Sequence, residues 1–341
     1  MKVSIRITSA LIVIALLLVA CGGQTGSGGG SASGGAKKIC FSYQDLETEF
    51  WVAGHAEIVK ALQDKGIQVI ERNAQKDADK QLQQVKDCIS QKVDGILIIP
   101  LDGESVIHII AEANKANIPI GLFNRPPAPG NTNPALVVVA DNEKIAESTV
   151  DYMAQQVKKQ HRKVHPLIMV GNLSDTNAVG RKKGFDTVIA RYPDLFYKPV
   201  EVATKWDAAV GLAGLQNAMQ ANPDVDFIFT SSDFLYPQIQ SVLQPLGKWK
   251  PIGDPNHVIM GGLDGDSHAC SIERQKYVDA TGVQDLDFEA KTLLTALLKA
   301  VDSHEAKPNQ TLNDTGFALT QDNFSTREKD MWGCVIPPPK K

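Results

Sequence analysis

From Lys38 onward, short β-branched runs alternate with amphipathic segments about a dozen residues long, and that alternation leaves few folds open. The runs are "ICFS", "IQVIER", "DGILIIP", "IPIGLFN", "ALVVVAD", "PLIMVGN", "KPVEVAT", "DFIFTSS", "HVIMGGLD" and "YVDATGVQ". Most are continuously apolar, which marks strands covered on both faces and hence parallel sheets lying between helices. Between them Leu82, Val85 and Ile89, and then Val106, Ile109, Ile110 and Ala113, recur at helical spacing. Gly66 after "KALQDK" and Asp207 ahead of "AAVGLAGLQNAMQ" punctuate helix ends. About ten βα units are too many for one small doubly wound sheet and suit two sheets of about five strands each. The predicted class is therefore α/β, with two doubly wound parallel-sheet domains. The break falls near Asp141 and Asn142, where the fifth strand gives way to "EKIAESTVDYMAQQVKKQ". The tail "GFALTQDNFSTREKDMWGCVIPPPKK" carries one last strand pattern and ends in prolines that cannot continue a ladder.

Ahead of this body, Lys2 and Arg6 precede the apolar run "ALIVIALLLVA" from Ala10 to Ala20, too short to span a bilayer comfortably. Residues 1–20 read as a targeting signal. Leu18-Val19-Ala20-Cys21 looks like the lipobox of a bacterial lipoprotein, which implies cleavage before a lipidated Cys21; a plain secretory signal with an incidental cysteine is the alternative. Residues 21–37 form a Gly/Ser tract with nothing large enough to pack, expected to act as a flexible tether. The expected location is extracytoplasmic, held to the bacterial cell membrane through Cys21 only. Cys40, Cys88, Cys270 and Cys334 then face an oxidising compartment without CxxC spacing. One or two disulfides are expected, Cys40 with Cys88 or Cys270 with Cys334, and buried unpaired thiols are the other possibility.

A formal net charge of -4 provides no field for nucleic acid, and Lys158-Lys159 and Arg181–Lys183 are short basic clusters on solvated helix faces. In open parallel sheets, ligands bind beyond the carboxyl ends of the strands. Those ends hold Ser42 with Phe50 and Trp51; Asp102; Asn124 and Arg125; Asn172, Asp175 and Asn177; Trp206; Ser231, Ser232 and Asp233; Asp264; and Gln284 with Asp285. Amides, carboxylates, an arginine and aromatic plates suit a neutral polyol, whose C–H faces pack on rings while its hydroxyls meet planar bidentate groups. Phe50 and Trp51 stand where a phosphate-binding loop would need bare glycines. Each residue also has a plainer use: the aromatics as core, Asp264 as a helix cap, Arg125 in a surface ion pair. No nucleophile elbow, P-loop or dinucleotide fingerprint occurs. "HRKVH" has the spacing of a zinc pair at His161 and His165 but lacks the glutamate and precedes a proline, and "DGDSH" lacks a calcium loop's alternating ligands. No catalytic residue, metal or cofactor is assigned.

From about Lys38 to Asn323 the chain resembles the ribose/galactose-type periplasmic sugar-binding proteins, the type I solute-binding components of ABC importers. The resemblance rests on "FW" in the first loop, "DGILIIPLDGESVIHIIAEANKANIPIGLFNR", "VVVADN", "GLAGLQNAMQANPDVDFIFTSSD", "MGGLDG" and "VQD". It implies a type I periplasmic binding protein fold, two domains on a three-segment hinge closing over a monosaccharide or polyol. It also implies an ABC permease as partner, a monomer, and no chemistry on the ligand. Phe50, Trp51 and Trp206 would sandwich the sugar; Asn124, Arg125, Ser232, Asp233, Asp264 and Gln284 would bond it. The family's arginine after the sixth strand falls on Val179, with Arg181 two positions later, so Asp175 and Asn177 are expected to substitute for it. Ser42 and Thr48 are further carry-overs in a first loop about two residues longer than the family's. The crossovers are placed near Asp141, Gln284 and Asp322, making one domain of 38–141 plus 285–321 and a second of 142–284 plus 322–341. Other readings are a sensor for a chemoreceptor or an autoinducer-like ligand, a sugar-responsive repressor, which would need a helix-turn-helix, and an extracytoplasmic hydrolase.

Overall fold

A computed structural model describes residues 36–336. The first sheet takes β1 (Lys38–Tyr43), β2 (Gln68–Asn73), β3 (Gly95–Ile99), β4 (Ile120–Phe123) and β5 (Leu136–Ala140). The second takes β6 (His165–Val170), β7 (Val200–Ala203), β8 (Val225–Thr230), β9 (Ile259–Asp264) and β10 (Ala280–Val283). All ten predicted runs are strands. Two more complete the sheets, β11 (Gln310–Asp314) and β12 (Phe317–Thr320), giving the orders β11-β5-β4-β3-β1-β2 and β12-β10-β9-β8-β6-β7. Every pairing is parallel except β12 against β10.

The helices between them are α1 (Glu49–Gln63), α2 (Ala78–Ser90), α3 (Ser105–Lys115), α4 (Asn142–Lys159), α5 (Thr176–Arg191), α6 (Ala208–Ala221), α7 (Tyr236–Leu243), α8 (Ser267–Arg274) and α9 (Leu286–Asp302), followed by short α10 (Phe324–Arg327) and α11 (Trp332–Val335). Six of them start at an aspartate cap. Asp77, Asp141, Asp175, Asp207, Asp266 and Asp285 accept a backbone N–H from the first turn of α2, α4, α5, α6, α8 and α9. The apolar faces bury as their spacing requires: Val106, Ile109, Ile110 and Ala113 of α3 are fully enclosed against the first sheet's core.

The chain passes between the sheets at three places. Two follow β5 at Asp141 and β10 at Gln284. The third is not near Asp322 but between β11 and β12, at Thr315 and Gly316. Asp314 causes the early crossing: its Oδ1 accepts Gly316 N at 2.8 Å, folding the chain into a turn with Gly316 at φ +49°. A Cβ on Gly316 would overlap Ile145, so the turn both bends and packs as only glycine can. The same Asp314 accepts Asp285 N through Oδ2 at 2.7 Å and Asp141 N through its carbonyl at 2.8 Å. One residue thus holds all three crossings together. β11 escaped the sequence reading because "QTLND" is a polar edge strand, mostly exposed.

Both cysteine pairs are bonded. Cys40 of β1 joins Cys88 of α2 with Cα atoms 6.0 Å apart, and Cys270 of α8 joins Cys334 of α11 at 5.5 Å. Closing loops of 48 and 64 residues, each constrains the unfolded chain by about 4 kcal/mol on the chain-entropy account. Thiol titration of the denatured, unreduced protein should find none of these four cysteines free, and Cys270→Ser with Cys334→Ser should lower the melting temperature by several degrees; a full count of thiols would remove both bridges from the folded protein.

Candidate ligand-binding cleft

The strand ends of both sheets face one cleft of about 790 Å³, within the range of small-molecule sites. From the first half come the loop after β1, the start of α1, the loop after β3 and the end of β4, bringing Gln44, Asp45, Phe50, Trp51, Asp102, Asn124 and Arg125. From the second come the loops after β6 and β7, the first turns of α5, and the ends of β8 and β9, bringing Asn172, Asp175, Asn177, Arg181, Trp206, Ser232 and Asp264; Gln284 joins from the crossing after β10. Of the residues singled out in the sequence, Phe50, Trp51, Asn124, Arg125, Asp175, Asn177, Trp206, Ser232, Asp264 and Gln284 all border it. Asp233 does not. It is fully buried behind Asp264, its Oδ2 accepting Gly265 N at 2.7 Å, so it shapes the loop that carries Asp264. Ser42 is likewise enclosed in β1, whereas Thr48 lines the cleft.

Arg125 organises the centre. Its Nε donates to Asp175 Oδ2 at 3.0 Å across the cleft, and Nη1 donates to Gln44 Oε1 and to the carbonyls of Pro100 and Leu101, both at 2.7 Å. The pair is buried, not the surface ion pair that was the plainer reading. A second crossing lies beside it: Asn177 Nδ2 donates to Asn124 O at 3.0 Å, and Asn124 Nδ2 donates to Gln284 Oε1 at 2.8 Å. A third is at the rim, where Ser267 Oγ of α8 donates to Glu49 of α1 at 2.8 Å.

Arg181 lines the cleft and Val179 does not. Val179 is 48% exposed, while Arg181, one turn after Asn177, points inward and pairs with Asp264 at 2.9 Å. The i, i+4 relation to Asn177 was the available signal. Asp264 also accepts from Gln284 Nε2 at 2.8 Å and from Ser232 Oγ, and its backbone carbonyl accepts Trp332 Nε1 at 2.8 Å. It is not the cap of α8; Asp266 is.

The aromatic plates are fixed from behind. Phe50 meets Trp51 edge-on at 5.0 Å and Trp332 at 5.9 Å, so these rings serve core and cleft at once. Trp206 lies against Gly171, where a Cβ would overlap its ring, and donates Nε1 to Asp175 Oδ2 at 3.1 Å. Arg125 stacks over Trp51 and Arg181 over Trp206, at 5.3 and 5.6 Å.

A cleft between two parallel sheets at their joint carboxyl ends, entered by three crossings, is the geometry of a hinged binding protein. Residues 39–305 match the family described as periplasmic binding protein domain. The chain belongs to that family. The ribose import binding protein of Bacillus subtilis is 27% identical over 282 residues, 81% of this chain and 86% of that one. The D-xylose-binding periplasmic protein of Haemophilus influenzae is 28% identical over 201 residues, 58% of each chain. The crystal structure of an ABC transporter solute binding protein from Bacillus halodurans C-125 with bound myo-inositol shares the fold, with a TM-score of 0.75 over 88% of this chain and 100% of that one at 22% identity. The fold is that of type I periplasmic binding proteins, and membership places the chain among solute-binding proteins rather than enzymes.

In this family member three carboxylates lie close together, Asp264 on the cleft wall and Asp233 and Asp266 enclosed beside it. Burial, reinforced by Asp266 and Asp264, pushes Asp233 well above the ordinary carboxylate range; burial also raises Asp264, against the pull of Arg181. Asp266 is pushed up to about 7, first by burial and then by Glu49 and Asp264. Because the folded protein then holds a proton that the unfolded chain releases near 3.8, protonation favours folding and stability falls as pH rises from 3.8 to about 7. Asp266→Asn keeps the cap and removes the charge. Calorimetric melting from about pH 5 to about pH 8 should show a shallower decline in this variant than in the wild type; parallel curves would mean that Asp266 does not titrate in that window.

Proposed function

We propose that the protein is an extracytoplasmic solute-binding protein that captures a monosaccharide or related polyol between its two domains and delivers it to an ABC permease. The observation that carries this reading is the chemistry of the cleft wall: planar carboxylates, amides and guanidinium groups set around Phe50, Trp51 and Trp206. Such groups bridge adjacent hydroxyls while the rings take the C–H faces of the ligand. The relatives' names agree, ribose, D-xylose and xylitol among them. Asp264 accepts paired hydroxyls in this reading, Arg181 and Gln284 hold it in place, and Asn124, Asn177 and Ser232 complete the polar belt.

The two domains are 38–141 with the segment through β11, and 142–284 with β12 and the tail. They close by rotation about the crossings that Asp314 gathers, and the ligand's differential affinity for the closed form sets how far the population shifts. Cys21 and the targeting signal lie outside the described residues; the reading gives Cys21 the lipid that keeps a monomeric receptor at the membrane. No helix of the described residues is long and apolar enough to cross one.

A thermal-shift screen of the mature protein against pentoses, hexoses, inositols and other polyols tests this, since binding to the native state raises its apparent stability. Stabilisation by one of them, confirmed by titration calorimetry without turnover, is the expected outcome. Trp51→Ala and Trp206→Ala should each weaken that ligand's binding by roughly 1–3 kcal/mol, the cost of an apolar face left without its plate. Undiminished affinity in both variants would defeat the sandwich.

A further inference from the structure

Trp332, in the tail after β12, lies outside the cleft yet touches two of its walls. Its Nε1 donates to the carbonyl of Asp264 at 2.8 Å, and its ring meets Phe50 edge-on at 5.9 Å. Asp264 ends β9 of the second sheet, and Phe50 opens α1 beside the first. One buried side chain therefore backs a cleft carboxylate and a cleft plate that belong to different halves. Asp264 depends on such backing: its φ of +131° is strained for any residue but glycine. The next residue, Gly265, packs against Met331 and the indole nitrogen of Trp332. Gly333 completes the fit, its amide donating to Gly265 O at 3.0 Å, and a Cβ there would overlap the backbone of Asp266.

Little else fixes the tail. α11, which carries Trp332, is four residues long, a single turn that cannot sustain itself. Met331 is buried ahead of it, and Arg274 pairs with Glu328 at the surface, where an ion pair contributes little. Among the described residues, the covalent tie is the bond from Cys334 to Cys270 of α8. The two bridges of the protein differ in access. Cys40 and Cys88 are wholly enclosed, whereas Cys334 is partly exposed. Thiol–disulfide exchange needs an attacking thiolate to reach a sulfur, so in the folded protein a dithiol meets the Cys270–Cys334 bridge first.

We infer that Trp332 is a positioning residue for ligand binding and that the Cys270–Cys334 bridge keeps it in place, so that the affinity of the cleft depends on the oxidation state of that bridge. The choice of ligand rests on the polyol reading above. One thiolate of a dithiol attacks Cys334, the S–S bond breaks, and Cys270 leaves and takes up a proton. The second thiolate then displaces Cys334, which is protonated in turn; the protein gains two electrons and the dithiol becomes a cyclic disulfide. Freed of its tie, α11 no longer holds Trp332 against Asp264 and Phe50, and both must be ordered by the ligand itself.

The test uses the mature protein and whichever of D-ribose, D-xylose, xylitol and myo-inositol stabilises it most, with affinities measured well below the melting temperature. Dithiothreitol, at a level that frees two thiols of the folded protein, should weaken binding about tenfold, the order expected when two side chains have to be ordered on binding. Reoxidation should restore the affinity. Cys270→Ser with Cys334→Ser should reproduce the loss and no longer respond to dithiothreitol. Trp332→Phe keeps the bridge and an aromatic ring but loses the N–H, and should bind about three- to tenfold more weakly. Combined with the two serine changes it should cost less than the sum, because both act through one contact. Unchanged affinity in both the reduced protein and Trp332→Phe would overturn the inference and leave the polyol reading standing. So would losses that add in full, which would separate the bridge from Trp332, or a response to dithiothreitol that survives in the serine variant. If none of the four compounds stabilises the oxidised wild type, the polyol reading fails and the inference with it.

Discussion

The ion pair between Arg125 and Asp175 is the contact on which the arrangement of the cleft depends. Its two partners come from opposite halves of the molecule, and each also fixes an aromatic plate. Arg125 stacks over Trp51, and Asp175 accepts the indole N–H of Trp206. Moving either member would release a ring, an ion and a hydrogen bond together. A buried pair of this kind contributes little net stability, because removing two charges from water offsets most of their attraction. What it does supply is register: the guanidinium meets Asp175, Gln44 and two backbone carbonyls in directions that only one relative placement of the halves satisfies.

The same economy of parts appears at the hinge. Asp314 is a strand end, yet it receives the amides of Gly316, Asp285 and Asp141, one from each crossing. Rotation can then be taken up by a few residues while the crossings stay in contact. Beside the hinge, the Cys270–Cys334 bridge anchors the tail to α8, and Trp332 on that tail reaches both the carbonyl of Asp264 and the ring of Phe50. Cleft, tail and first half are therefore one packed unit around the ligand-facing strand ends.

Much of this was legible beforehand, because buried parallel strands have to be continuous apolar runs and their helices have to show one greasy face. The ten runs and the cleft position of Phe50, Trp51, Asn124, Arg125, Trp206 and Asp264 follow from that constraint and from the place where parallel strands end. What was not legible lacked such a constraint. β11 is a polar edge strand that pairs on one side only, so nothing in its composition demanded sheet. Asp45 and Gln44 lie in a loop without periodicity. Trp332 follows the short, partly exposed α10 and a 3-10 turn, and its meaning depends on the Cys270–Cys334 disulfide, for which free thiols were the alternative.

Backbone strain gathers at this cleft. Asn124, Lys205, Trp206 and Asp264 all have positive φ, at +63°, +55°, +59° and +131°, and a bulky Trp in that region is rare. Each such residue costs about 1–3 kcal/mol and persists only where neighbours over-determine it. Here they do: Thr204 Oγ1 accepts Trp206 N at 3.3 Å, and Asp264 is held by Arg181, Gln284, Ser232 and Trp332. A relaxed backbone would turn Trp206 off Gly171 and Asp264 away from the cleft. The strain is the cost of presenting a plate and a carboxylate in fixed directions before a ligand arrives, so that less ordering remains to oppose binding.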